Sequence, residues 1–158
     1  MTTWKAVIVQ CGNEEYAIAV DSVVSIEKIE KVNPIPHLPD YMLGLMKIRG
    51  ELVPILDFER ILYGKSAPNM QDVRIVVVQT ENLFIGLVVI DAKEIIEIPE
   101  NSLTTSGLMA YSRTPYFTSV ANLEDRMITI VDPVILSKTL AGMDEIGDYI
   151  HAQTKQEQ

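Results

Sequence analysis

Side chains with reactive chemistry are few in this chain, and they are scattered. The two histidines are His37, in a proline-rich bend, and His151, near the C-terminal end, so a paired metal site or a histidine general base is not expected. Cys11 closes an apolar run with no base beside it, which fits a small buried hydrophobe better than a nucleophile. Eight glycines are dispersed, and neither G-x-G-x-x-G nor G-x-x-x-x-G-K-[ST] is present to cradle a phosphate. Glu94, Glu97 and Glu100 recur at every third position, the pattern of a charged strand edge that resists sheet aggregation. Asp57 and Asp132 are the carboxylates that invite an acid–base reading. Each directly precedes a short helical pattern, where it would accept amide hydrogens and suit the positive helix end. No catalytic residue, cofactor or metal is therefore expected.

The elements that carry these residues occur twice. Gly44–Asp57 lies over Ser119–Asp132 at a constant offset of 75 residues, and both read as strand, tight turn, apolar strand and Asp. Upstream, Tyr16–Val20 lies over Phe84–Val88 at an offset of 68, each preceded by an apolar strand, Ala6–Val9 and Ile75–Val78. A period this long used only twice fits a pair of small β-barrels better than a solenoid. Val- and Ile-rich runs punctuated by Gly, Asn and Pro supply the strands. Lys65–Asn69 reads as the linker between the halves, and Met143–Gln158 as a polar tail able to dock through Tyr149 and Ile150.

At 158 residues and 47% hydrophobic content, the chain has enough apolar surface for one sizeable core or two small ones sharing a wall. The net charge of −9 disfavours nucleic acid and anionic lipid. A single cysteine fits a reducing, cytoplasmic setting, and no apolar run approaches the ~18 residues of a membrane helix. What remains is surface for contacts. Arg49, next to Gly50 on a hairpin turn, is either a guanidinium aimed at a partner's carboxylate or one exposed charge on a tip. Val32, Ile35 and Leu38 lie among prolines on a stiff segment, which is either an interface or a strap packed on the barrel.

In family order, the chain resembles the CheW coupling proteins of bacterial chemotaxis. The resemblance is carried by Glu14–Ile18, by Gly44–Gly50 continuing through Val53–Asp57, by Ile85–Val89 and by Asp125–Ile128, with Arg49-Gly50 and Pro54-Ile55 the most specific. It implies an all-β fold of two five-stranded SH3-like β-barrel subdomains with short helices. These would form a single domain over residues 1–142, with the first barrel at 12–66, the second at 72–140 and strand 4–11 joining the second, leaving 143–158 as the tail. It implies a non-catalytic adaptor, without cofactors, recruited to receptor arrays at the inner face of the membrane. Its partners would be the regulatory domain of the histidine kinase CheA and the cytoplasmic tip of methyl-accepting chemoreceptors. By the same resemblance Val23, Ile26 and Arg49 would look toward the receptor, and Val32, Ile35 and Leu52 toward the kinase. Arg113 to Phe117 would lie near a second kinase contact. The chain departs from the family at Ser25, where Glu is frequent, at Ile90, which delays an Asp to Asp91, and at Ser119 and Ala121, where glycines are usual. A CheW-type adaptor of another chemosensory or motility pathway, or a small-ligand-binding barrel, are the alternatives.

Overall fold

The computed structural model describes residues 3–65, 71–81, 83–105 and 114–156. Apolar runs form the strands β1 (Thr3–Cys11), β2 (Glu14–Ala19), β3 (Val23–Lys28), β4 (Met42–Ile48), β5 (Glu51–Asp57), β6 (Arg74–Gln79) and β7 (Phe84–Val89). They continue as β8 (Asp91–Pro99), β9 (Leu103–Thr104), β10 (Phe117–Asn122) and β11 (Met127–Val131). Helices α1 (Phe58–Tyr63) and α2 (Pro133–Thr139) follow the strands that end at Asp57 and before Asp132, and α3 (Met143–Gln156) closes the chain.

The strands make two sheets, of order β8-β1-β2-β11-β10-β9 and β3-β6-β7-β5-β4. Where two five-stranded subdomains were expected, the described strands form one six-stranded and one five-stranded sheet. Their hydrogen-bond ladders end at β8 and β9 in the first and at β3 and β4 in the second, and neither ladder closes on itself. The sheets also do not follow the halves of the sequence. Hairpin β1–β2 pairs with β8 and β11 of the second half, and hairpin β6–β7 pairs with β3 and β5 of the first. Each half thus lends strands to the other's sheet, because the third strand of each unit runs on past its own hairpin.

The duplication is visible in the register. Bulges fall at Met42/Gly44 in β4 and at Phe117/Ser119 in β10, matched positions of the repeat. The amide of Asp57 donates to the Tyr41 carbonyl and that of Asp132 to the Tyr116 carbonyl, both at 2.8 Å. Parallel pairs β5–β7 and β11–β2 complete the correspondence.

Alternation along β6 explains why these strands are apolar on both faces. Val76 and Val78 enter a central core between the sheets, shared with Val7, Val9, Ile18, Leu56 and Leu87. Ile75 and Val77 enter a second core that belongs to the five-stranded sheet alone, with Met46, Val53, Ile55 and Val88. A third core, built on Ala6, Ile8, Ala17, Ile98, Ile128 and Ile130, belongs to the six-stranded sheet. Residues 143–156, expected as a polar tail, form helix α3 instead. Met143, Ile146 and Ile150 fall at helical spacing and are buried in the central core, while Tyr149 stays exposed.

Candidate docking face

The β4–β5 hairpin turns through two residues, Arg49 and Gly50, with φ of 53° and 86°. Positive φ at both central residues is the signature of a type I′ turn, whose twist matches that of the flanking strands. Glycine carries one position freely; Arg49 holds the other at some strain, fixed by the paired strands on either side. The guanidinium stands 3.7 Å from a Glu27 carboxylate oxygen on β3, and the Arg49 side chain is 70% exposed. β3 and β4 are opposite edges of the five-stranded sheet, so this ion pair spans the mouth of a strongly curled sheet. Glu27 directly follows Ile26, two positions past Ser25. Its Oε2 and the Ser25 hydroxyl are buried without a hydrogen-bond partner, and both residues face the second core through their register partners Ile75 and Val77.

Strict alternation would put Val23 and Ile26, three residues apart, on opposite faces of β3. A bulge between Val23 and Ser25 corrects this: Val23 pairs with Val78 and Ile26 with Val76, so both project on the same side of the sheet. Val23 is half-buried against the central core, whereas Ile26 and its neighbour Val24 are 40% and 41% exposed. The structure therefore brings Ile26 and Arg49 to one end of the sheet, with Val24 as an exposed apolar neighbour. Its exposure comes from the bulge, which no residue type in the sequence announced.

The three residues assigned to the kinase side are less uniform. Val32 packs against the second core, while Ile35 and Leu52 pack against the central core, and all three are half-buried. The prolines hold Val32–Leu38 as a strap across β4, tied by reciprocal hydrogen bonds between Asn33 and Leu45 at 2.8 and 2.9 Å. A side-chain carbon at Gly44 would run into the Asn33 carbonyl and stand 3.0 Å from the Pro34 Cα, so only glycine lets the strap lie so close. Leu52 is elsewhere, on β5 beside α3, where it lines an open cavity of about 270 Å³ with Leu83, Phe84, Ile150 and His151. Of the weaker second contact, Arg113 lies outside the described residues, Tyr116 is buried and Phe117 is half-buried.

The acid–base candidates have structural partners. Asp57 accepts the Arg60 amide at 3.2 Å as the cap of α1, and Asp132 accepts those of Val134 and Ile135 at 2.9 and 3.2 Å as the cap of α2. Burial, with Glu59 and Asp57 nearby, pushes the Cys11 thiol up to about 12, which suppresses the thiolate at neutral pH. Tyr16 and Tyr63 hydrogen-bond through their hydroxyls, and Glu59 accepts the Gly12 amide at 2.8 Å, tying hairpin β1–β2 to α1 across the sheets. Among the described residues, no three His, Cys, Asp or Glu side chains gather as a metal site, and no helix is long and apolar enough to cross a membrane.

The turn before β11 is held by Arg126, a residue of the Asp125–Ile128 run. Arg126 is forked onto Glu15 at 3.0 and 2.6 Å and onto Glu94 at 2.9 Å for each of two bonds, spanning β2 and the edge strand β8. Those bonds hold Glu94 below the usual glutamate range and raise the Arg126 guanidinium further. The sequence signals for it were that run and the repeat, which sets the Glu124-Asp125 turn over Arg49-Gly50 and Arg126 over Glu51.

Two sheets, each wrapped on its own core, with apolar side chains and the exposed Arg49 at one rim, make a β-sheet domain with a solvent-facing contact surface. Residues 5–140 match the family model described as the CheW-like domain, and the chain belongs to that family. It is similar to the chemotaxis protein CheW of Bacillus subtilis (strain 168), at 25% identity over 129 residues, 81% of this chain and 83% of that protein. It is 29% identical to the chemotaxis protein CheW of Rhizobium meliloti (strain 1021) over 123 residues, 77% and 79% of the two chains. The crystal structure of the scaffolding protein TtCheW from Thermoanaerobacter tengcongensis superposes with a TM-score of 0.74 at 24% identity, covering 86% of this chain and 88% of that one.

Proposed function

We propose that the protein is a non-catalytic chemotaxis adaptor that couples methyl-accepting chemoreceptors to the regulatory domain of the histidine kinase CheA. The observation that carries this reading is the rim of the five-stranded sheet. Exposed Val24 and Ile26 lie beside Arg49, an arginine on a rigid turn whose nearest carboxylate, at 3.7 Å, is too distant for a strong charge-assisted bond. Such a guanidinium keeps donors free for a carboxylate on a helical receptor tip. The strap and Leu52 form the kinase side. The protein acts where arrays assemble, at the cytoplasmic face of the membrane.

The mechanism is positional. Two partners held on separate faces are coupled when each contact differs in strength between two states of the assembly. Each face buries about 800 Å² per partner or less, the range of transient signalling interfaces, and repetition in an array adds avidity. The curl of each sheet about its own core supports an SH3-like barrel description of the subdomains. Apolar side chains pack the core of each sheet, which favours the adaptor over a ligand-binding barrel.

The test titrates the protein against a receptor tip fragment and against the kinase regulatory domain, separately and together. Arg49→Glu is expected to lower receptor affinity at least about tenfold and leave the folding midpoint within about 0.5 kcal/mol of the parent. Unchanged receptor binding in that variant would remove Arg49 from the receptor face.

A further inference from the structure

Helix α3 lies beside Leu52 on the kinase side. Just before it, Gly142 turns with φ of 92°, and a side-chain carbon there would stand 2.8 Å from the ring of Pro39, the residue after the strap. Beside it, the Tyr41 hydroxyl donates to the Ala141 carbonyl at 2.6 Å. Eight residues further on, Ile150 and the following His151 share the cavity of about 270 Å³ with Leu52. Adjoining it at Leu83 and His151, a cavity of about 520 Å³ opens between α3 and the β6–β7 hairpin, lined also by Glu81, Lys138, Asp144 and Asp148. The helix is held by three buried apolar side chains, Met143, Ile146 and Ile150, and the match to the family model stops at residue 140. A polar helix seated along one apolar stripe, with open cavities between it and the β6–β7 hairpin and a glycine turn just before it, has the low contact density of an element that can open locally.

We propose that α3 is a built-in cover of the Leu52 face: seated, it competes with the kinase regulatory domain, and binding of that domain displaces it. This rests on the kinase role of Leu52 proposed above. Affinity then scales with the fraction of molecules whose helix is lifted.

The experiment combines amide hydrogen exchange with titration of the kinase regulatory domain, on the full chain and three variants. Ile150→Ser removes one anchor. It is expected to strip protection from α3 while the β-strands keep theirs, and to tighten binding about three- to tenfold. Gly147→Ala favours the helix, and its new carbon fits at 3.4 Å from Leu83 Cδ2. It is expected to weaken binding by up to about fivefold. In the parent protein, saturation with the kinase domain is expected to deprotect α3. Added protection of α3 on binding would make the helix part of the interface and overturn the proposal. Unchanged affinity in both helix variants, with binding abolished by Leu52→Asp, would remove the cover and leave the kinase reading standing. Parent-like binding by Leu52→Asp would remove both.

Discussion

The Arg49 and Arg126 turns sit at matched places in the repeat and differ in how their charge is used. Arg126 is 23% exposed and makes four hydrogen bonds to two carboxylates, while Arg49 is 70% exposed and stands 3.7 Å from one. Both link distant strands of a curled sheet. The six-stranded sheet spends its arginine on fastening its own edge, whereas the five-stranded sheet leaves its arginine largely available. Duplication thus yields one stabilising hairpin and one presenting hairpin at matched places, although Arg126 lies over Glu51 and the matched Glu124-Asp125 turn lacks the positive φ of Arg49.

The largest expected effect comes from another matched pair. Gly44 corresponds to Ser119, which is half-buried and carries a side chain at the same bulge. Gly44→Ala is expected to cost about 3 kcal/mol, because the new carbon meets backbone that cannot turn aside, while Ser119→Ala stays within about 0.5 kcal/mol. Urea unfolding of the two variants measures the difference; equal losses would mean that the strap does not need the glycine.

The two arginines come next. Arg126→Ala is expected to lower stability by about 1–3 kcal/mol and Arg49→Ala by less than about 0.5 kcal/mol, the second variant instead losing receptor affinity. A reversed order in chemical denaturation would break the comparison at its root. The caps should differ more mildly. Asp132→Ala removes an acceptor of two amides and is expected to cost about 1–2 kcal/mol. Asp57→Ala removes an acceptor of one amide together with a buried Oδ2 that has no partner, so its cost should fall below about 1 kcal/mol. Thermal melts of both variants read this gap.

The smallest effect is a pH dependence. Glu94 titrates below its ordinary range when folded, so its contribution to stability is complete above about 4.3, the unfolded value, and is lost as pH falls through the lowered one. Stability measured between pH 6 and 3 is therefore expected to fall less steeply in Glu94→Gln than in the parent. Identical slopes would mean that the Arg126 fork adds nothing to the folded state.

Local chemistry made much of the fold legible. Apolar runs broken by turn residues marked the strands, Arg49-Gly50 marked its hairpin, and Asp57 and Asp132 marked the starts of two helices. Met143, Ile146 and Ile150 also carried a helical spacing, but that helix depends on a core built by residues far away in sequence, so the stretch looked like a tail. Apart from strand 4–11, which the family resemblance placed with the second half, the exchange of strands left no sequence trace, because an apolar strand pairs equally well with either neighbour.

By itself, the sequence determined the duplicated plan and the charged turn at the rim, since these depend on residue type and spacing. Tertiary structure alone decided which faces those residues occupy. The bulge aligned Val23 with Ile26, the curl of the sheet set Glu27 near Arg49, and α3 came to rest beside Leu52. Each depends on backbone register and on burial summed over distant strands, quantities that no single stretch of chain contains.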